Sequence, residues 1–198
     1  IAISLNYLGP EHDAERGIDG LYEHLTRLIP QMTARGMNIV LNTVIMQENL
    51  DHLIPIAHQA RHWGAKVSYS CYSDFKNGNQ AHMIRLDQAE QVARVVEELI
   101  RLKRPLGNIV SSGYYLRRVP EYFRGTLPQT CQAAGKWLIQ LTPDGDIKPC
   151  PELPVTAHYT EYQSTAKPIA CDRCWYSCRG ETQSALSIER ATEIFGRV

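Results

Sequence analysis

Five of the six cysteines in this 198-residue chain fall between residues 131 and 178, at Cys131, Cys150, Cys171, Cys174 and Cys178. The first two bound the stretch CQAAGKWLIQLTPDGDIKPC, and the other three lie in CDRCWYSC. Thiolates grouped in this way, with Gly- and Pro-bearing loops between them, make the ligand set that a zinc ion or an iron–sulfur cluster requires. Trp137 to Leu141 is strand-like, TPDGD signals a turn, and Ile147 to Cys150 returns, which predicts a β-hairpin. Antiparallel strands come back to their start, so the hairpin carries Cys131 and Cys150 to one end while CDRCWYSC adds a close pair from a turn. Convergence of the two groups would fix a small domain with little core of its own. A zinc ribbon normally uses two CxxC knuckles and this chain has one. Eighteen residues followed by CxxCxxxC suits a cubane cluster at least as well. A [4Fe–4S] cluster, zinc, and disulfides or free thiols all stay open on chemistry alone. A reducing cytoplasm, the expected setting of a chain with no signal-peptide pattern, disfavours disulfides.

The elements that must position these thiols begin with a run of strand–helix units. Ile1 to Leu5 reads as a buried strand, and Leu21 to Arg35 as a helix closed by Gly36. Asn38 to Met46 reads as a second strand, Leu50 to Trp63 as a helix ending at Gly64, and Lys66 to Tyr72 as a third strand. A long amphipathic helix follows over Leu86 to Lys103, with Pro105 as its stop. Continuous apolar strands alternating with helices predict an α/β fold with parallel pairing and right-handed crossovers. Reaction centres in such folds lie at the carboxyl ends of strands, which directs attention to Ser4 to Tyr7, Asn42 to Val44 and Ser70 to Asp74. His12, Asp13 and Arg16 form a polar cluster in the first loop, where an Asp–Arg ion pair is expected. Asn108 to Phe123 reads as a further helical segment, with Tyr114, Tyr115, Tyr122 and Phe123 as core. Ser184 to Val198 reads as a closing helix. The division expected is residues 1–110 for the strand–helix part and 111–198 for the cysteine domain. Three units do not close a barrel, and a chain that opens in a strand at Ile1 reads as one that begins mid-domain. Formal net charge is zero, so there is no electrostatic case for nucleic acid or an anionic membrane. No apolar run approaches the length of a membrane span.

In order and spacing these motifs resemble radical S-adenosylmethionine (SAM) enzymes. ISLNYLGPEHDAERG is similar to their fourth-strand region, VLNTVIMQEN to the fifth and GAKVSYSCYSDF to the sixth. The stretch from Cys131 through Gly145 to GDIKPC resembles the opening of the SPASM and Twitch auxiliary-cluster domains. The resemblance implies the second half of a partial (β/α)6 TIM-like barrel, followed by a small Twitch-like domain of β-hairpin and helix. It implies an auxiliary [4Fe–4S] cluster held by Cys131, Cys150, Cys171 and Cys174, with Cys178 as alternate or outer ligand. It further implies SAM, and a second [4Fe–4S] cluster on a CxxxCxxC loop that this sequence does not contain. Ser4 and Asn42 match strand-end positions that touch SAM, and Asn6 replaces an aspartate common there. Cys71 would lie near the adenine, as a buried small residue or as a hydrogen-atom donor to a substrate radical. Trp137 and Trp175 would shield the cluster, and Lys148 would offset its charge. The activity implied for the parent enzyme is hydrogen abstraction from a peptide or small-molecule substrate by a 5′-deoxyadenosyl radical. Electrons would come from a one-electron donor such as flavodoxin or ferredoxin. The rival from another class is a non-catalytic zinc-binding α/β module.

Overall fold

The computed structural model describes residues 1–127, 130–161 and 169–195. Three strands, β1 (Ala2–Ser4), β2 (Val40–Ile45) and β3 (Lys66–Cys71), form a parallel sheet in the order β1-β2-β3. Each is followed by helix: α1 (Pro10–Arg16) and α2 (Leu21–Ala34) after β1, α3 (Leu53–His62) after β2, and α4 (Ala89–Leu106) after β3. Strand alternation sends Leu41, Thr43, Ile45, Val67, Tyr69 and Cys71 to the helix-covered side, where they are buried. Ser4, Asn42, Ser68 and Ser70 lie on the opposite side, which the described helices leave more open.

The element ends differ from the sequence reading in instructive ways. Pro105 does not stop α4. It is carried in the last turn, and Gly107, at φ 69°, makes the stop with its N–H on the Lys103 carbonyl. Residues 108–112 are extended rather than helical. The Val67 N–H donates to Asn108 O and the Val110 N–H to Val67 O, so Ile109 pairs with Val67 as a fourth strand position. Asn108 holds this segment by donating to the Ala57 and Ala65 carbonyls, and the Ser111 hydroxyl accepts the Tyr69 N–H. Only then come the short helices α5 (Gly113–Arg117) and α6 (Val119–Phe123), with Ser112 capping the first through the Tyr115 N–H.

Residues 130–161 form a second, antiparallel sheet of β4 (Gln140–Leu141), β5 (Asp146–Lys148) and β6 (Ala157–His158). The hairpin read from TPDGD is present with Gly145 at φ 88°, and β6 adds a third strand that the sequence reading did not include. Two helices finish the described chain, α7 (Ser177–Gln183) and α8 (Ile188–Phe195). Ion pairs dock α8: Lys103–Glu193 at 3.2 Å, Arg190–Glu181 at 2.9 Å and Arg117–Glu189 at 2.7 Å. The main apolar core runs from Leu5 and Ile29 through Tyr69 and Leu99 to Tyr115, Phe123 and Trp175. Trp175, from the cysteine segment, is therefore buried among side chains of the parallel sheet's own core.

Candidate functional site: a thiol-lined cavity at a strand end

Cys131, Cys150, Cys171, Cys174 and Cys178 all line one small cavity of about 20 Å³. Cys131 is buried with Ala133 and Ala134 in a small core, against which Cys150, Cys171, Leu138 and Leu153 pack. Backbone bonds draw the two groups of cysteines together. The Cys131 N–H donates to Cys171 O at 2.6 Å, and the Gly135 N–H donates to Pro149 O at 3.0 Å. The hairpin thus delivers Cys150 beside Cys131, as antiparallel pairing demands, and the 171–178 segment closes the far wall.

The cavity adjoins the parallel sheet. Phe75, in the loop after β3, forms part of its wall. The Ser73 hydroxyl donates to the Arg173 carbonyl at 3.2 Å, and the Ser177 N–H donates to the Ser70 hydroxyl at 3.3 Å. On the other side of the strand, Tyr115 OH accepts the Cys71 N–H, and its ring stacks on Trp175 at a centroid distance of 5.7 Å. Gly180 makes this approach possible, because a Cβ there would run into the Tyr115 ring and come within 3.1 Å of Trp175.

Around the sulfurs the electrostatics are those of an apolar pocket with directed amides. The Ala134 N–H donates to Cys131 Sγ at 3.4 Å. Burial raises the Cys150 thiol, opposed by the Glu152 and Leu153 N–H groups directed at its sulfur. Burial likewise pushes Cys174 up to about 11, against the Tyr176 N–H and the Arg179 charge. Burial raises Cys178 too, against the Arg179 N–H. Left to themselves these thiols hold their protons at neutral pH. A soft cation must displace those protons, after which the same amides become donors to thiolate. Among the described residues no three His, Cys, Asp or Glu side chains close on a single metal ion. The donor set itself, all sulfur in apolar walls and met by N–H groups, fits a soft-metal centre.

Ser4, Asn42 and Ser68 stand in register across the sheet, Ser4 opposite Asn42 and Asn42 opposite Ser68, so the two residues expected to meet SAM share one polar row. The Ser68 hydroxyl donates to Asn42 Oδ1 at 2.5 Å. Asn6 lies just beyond, buried, with its Nδ2 donating to Glu15 Oε1 at 2.9 Å and its Oδ1 accepting the Val44 N–H at 2.9 Å. Asn49 ties the same strand ends, donating to the Asn6 and Val44 carbonyls. Asp13 does not reach Arg16 as its partner. Its carboxylate accepts the Gly20 and Tyr22 N–H groups at 2.9 and 2.7 Å, because α1 turns it toward the start of α2.

Cys71 stands on the helix-covered side of β3, 1% exposed, with burial raising its thiol far above the ordinary range. Trp175, expected to shield the cysteines, is buried in the main apolar core rather than in the cavity wall, and Trp137 is 65% exposed. Lys148 Nζ donates to the Pro151 carbonyl at 2.6 Å. Sequence reasoning missed Arg179 and Phe75 in the cavity wall. An arginine directly after Cys178 and followed by Gly180 was the available signal.

No protein-family model matches the chain. Over 123 residues, 59% of the chain, it is 27% identical to a PqqA peptide cyclase of Xanthomonas campestris pv. campestris strain B100. It matches the PqqA peptide cyclases of strains 8004 and ATCC 33913 to the same extent. The match takes in 31% of those proteins, so the chain spans under a third of the length of the curated relatives it matches. The conclusion the comparisons carry is a distant likeness to an enzyme named for cyclising a peptide.

Proposed function

We propose that this chain is part of a radical SAM enzyme acting on a peptide, and that its thiol-lined cavity holds an auxiliary [4Fe–4S] cluster. The observation that carries the reading is the gathering of five cysteines from two separated segments around one apolar cavity at the end of β3. The parallel strand–helix units support a partial-barrel reading, with the Ser4–Asn42–Ser68 row on the side that would face the barrel interior. The peptide follows from the relatives, which are named for one.

In such an enzyme SAM supplies a 5′-deoxyadenosyl radical that takes hydrogen from an unactivated carbon, and an auxiliary cluster accepts or relays one electron. This chain's residues do the rest. Cys131, Cys150, Cys171 and Cys174 give up thiol protons to become ligands, and Cys178 stands ready as a replacement or as a neighbour. The N–H groups of Ala134, Glu152, Leu153 and Tyr176 hold the thiolate charge in place. Phe75, Leu138 and Leu153 exclude water, and low dielectric strengthens every dipole aimed at the sulfurs. Asn42 and Ser4 offer an amide and a hydroxyl to the polar groups of a nucleoside, and Asn6 with Asn49 fixes the strand ends that carry them.

Anaerobic incubation with iron and sulfide tests the site. A broad visible absorbance that dithionite bleaches, and that Cys150→Ser abolishes, is the expected result. A colourless chain binding zinc alone would establish the structural zinc module instead.

A further inference from the structure

The sheet of β4, β5 and β6 has one face without charge. Pairing sets Leu141, Ile147 and Ala157 in a single row across its three strands. The Thr156 N–H donates to Ile147 O and the Tyr159 N–H to Gly145 O, so the pairing continues to either side of β6. Alternation then places Ile139, Val155 and Tyr159 on the same face as Leu141. The polar partners, Gln140 with Lys148 and Asp146 with His158, take the opposite face. Ile147 on the central strand is buried, but its flanks are open to water. Leu141 and Tyr159 are 62% and 61% exposed, Ile139 and Val155 49% each, and Trp137, in the turn leading into β4, is as exposed as they are. Apolar side chains scattered singly over a surface need no explanation, whereas a contiguous group marks a contact surface.

Charge and area point to a second copy of this chain as the occupant. Lys and Arg number 21 and Asp and Glu 21, so the net charge at neutral pH is zero and two copies meet without repulsion. The face carries no charge either, so it requires only apolar surface of its partner, and an identical face supplies that. The five exposed side chains offer on the order of 500 Å² per copy, or about 1,000 Å² in a pair, which is the lower limit of a specific interface. β4 is moreover an edge strand of its sheet, and edge strands are prone to pair with one another. We propose that this hairpin face joins two copies of the chain in a two-fold dimer, centred on Leu141, Tyr159 and Trp137. The same hairpin leads into Cys150, so the contact surface and the thiol-lined cavity share one element. The inference stands independently of the cluster reading.

Sedimentation velocity of the metal-free native chain, Leu141→Glu, Tyr159→Ser and Ile188→Glu tests the proposal over about 1 to 200 µM. Each substituted side chain is exposed, and far-ultraviolet circular dichroism verifies that each variant is folded. Ile188, 89% exposed on α8, serves as the control for apolar exposure elsewhere. The native chain is expected to dimerise with a dissociation constant on the order of 10 µM, as suits an interface of this size. Leu141→Glu brings one carboxylate from each copy into apolar contact and should weaken the dimer at least tenfold, with a smaller loss for Tyr159→Ser. Ile188→Glu should leave the constant unchanged, and the dimer should persist at about 0.5 M salt, where charge contacts are screened. A native chain that stays monomeric throughout overturns the proposal and leaves the face to a partner of another sequence. A dimer untouched by Leu141→Glu, or broken by Ile188→Glu instead, overturns it in favour of a different surface. Species that grow beyond two copies overturn the two-fold arrangement.

Discussion

The Tyr115 hydroxyl accepts the Cys71 backbone N–H at 2.8 Å and stands 3.4 Å from the Cys71 sulfur, within 3.2 Å of the Trp175 carbonyl. One phenol thus joins the end of β3 to the segment that carries Cys171, Cys174 and Cys178. Without it the strand end would lack an acceptor for a buried N–H. Tyr115→Phe keeps the ring stacked on Trp175 and removes only the hydroxyl. A loss of about 1–3 kcal/mol is expected in urea unfolding, because a buried donor is left unsatisfied. An unchanged midpoint would mean that the hydroxyl does not join the two parts.

Close approach of α7 depends on the absence of a side chain at one position. Gly180→Ala places a methyl group against the Tyr115 and Trp175 rings. Overpacking of this kind costs about 1–3 kcal/mol, and here the strain falls on the cavity wall. The expected result is a lower unfolding midpoint together with altered near-ultraviolet circular dichroism from Trp175.

Asn6 is suited to its site because its Nδ2 donates to Glu15. Asn6→Asp turns that donor into a second acceptor and sets two carboxylates side by side. The variant should lose about 1–3 kcal/mol at neutral pH. Repulsion raises the folded-state pKa of the pair, so the deficit shrinks as pH falls and one carboxyl takes up a proton. Urea midpoints of native and variant chains measured from neutral to mildly acidic pH should converge.

Burial holds Cys174 protonated up to about 11, above the usual thiol range. A raised folded-state value means that stability is fully present below the ordinary thiol pKa and is lost as pH rises through about 11. The metal-free chain should therefore weaken across that interval. The reconstituted chain should not, since its ligand thiols have already lost their protons. Thermal melts of both forms over alkaline pH check the difference.

Much of the sheet was legible because apolar strands and glycine-capped helices carry strong local signals. Leu41, Ile45, Val67 and Tyr69 alternate as their burial requires, and Gly36 and Gly64 stand at positive φ after their helices. The gathering of the cysteines was legible from the hairpin. What local pattern did not reveal was set by long-range partners. Residues 108–112 are extended because Val67 and Ala57 supply their hydrogen bonds from far along the chain. Arg179 reads as a surface residue until the Trp175 ring and the Cys174 carbonyl are seen around it. The resemblance of ISLNYLG and of VLNTVIM to two strand regions of radical SAM enzymes suggested Ser4 and Asn42 respectively, while their alignment with Ser68 in one row follows from register alone. Residues 162–168 and 196–198, the latter within the expected closing helix, lie outside the described residues, and that helix is described over Ile188–Phe195.

The central claim is that the cavity holds a cubane cluster, and Mössbauer spectroscopy of the chain reconstituted anaerobically with 57Fe and sulfide tests it most directly. The account predicts the quadrupole doublets of a [4Fe–4S] centre, with about four irons and four sulfides per chain, and their disappearance in Cys131→Ser and Cys150→Ser. A spectrum of unbound or single-site iron, with one zinc per chain taken up in preference, would contradict it.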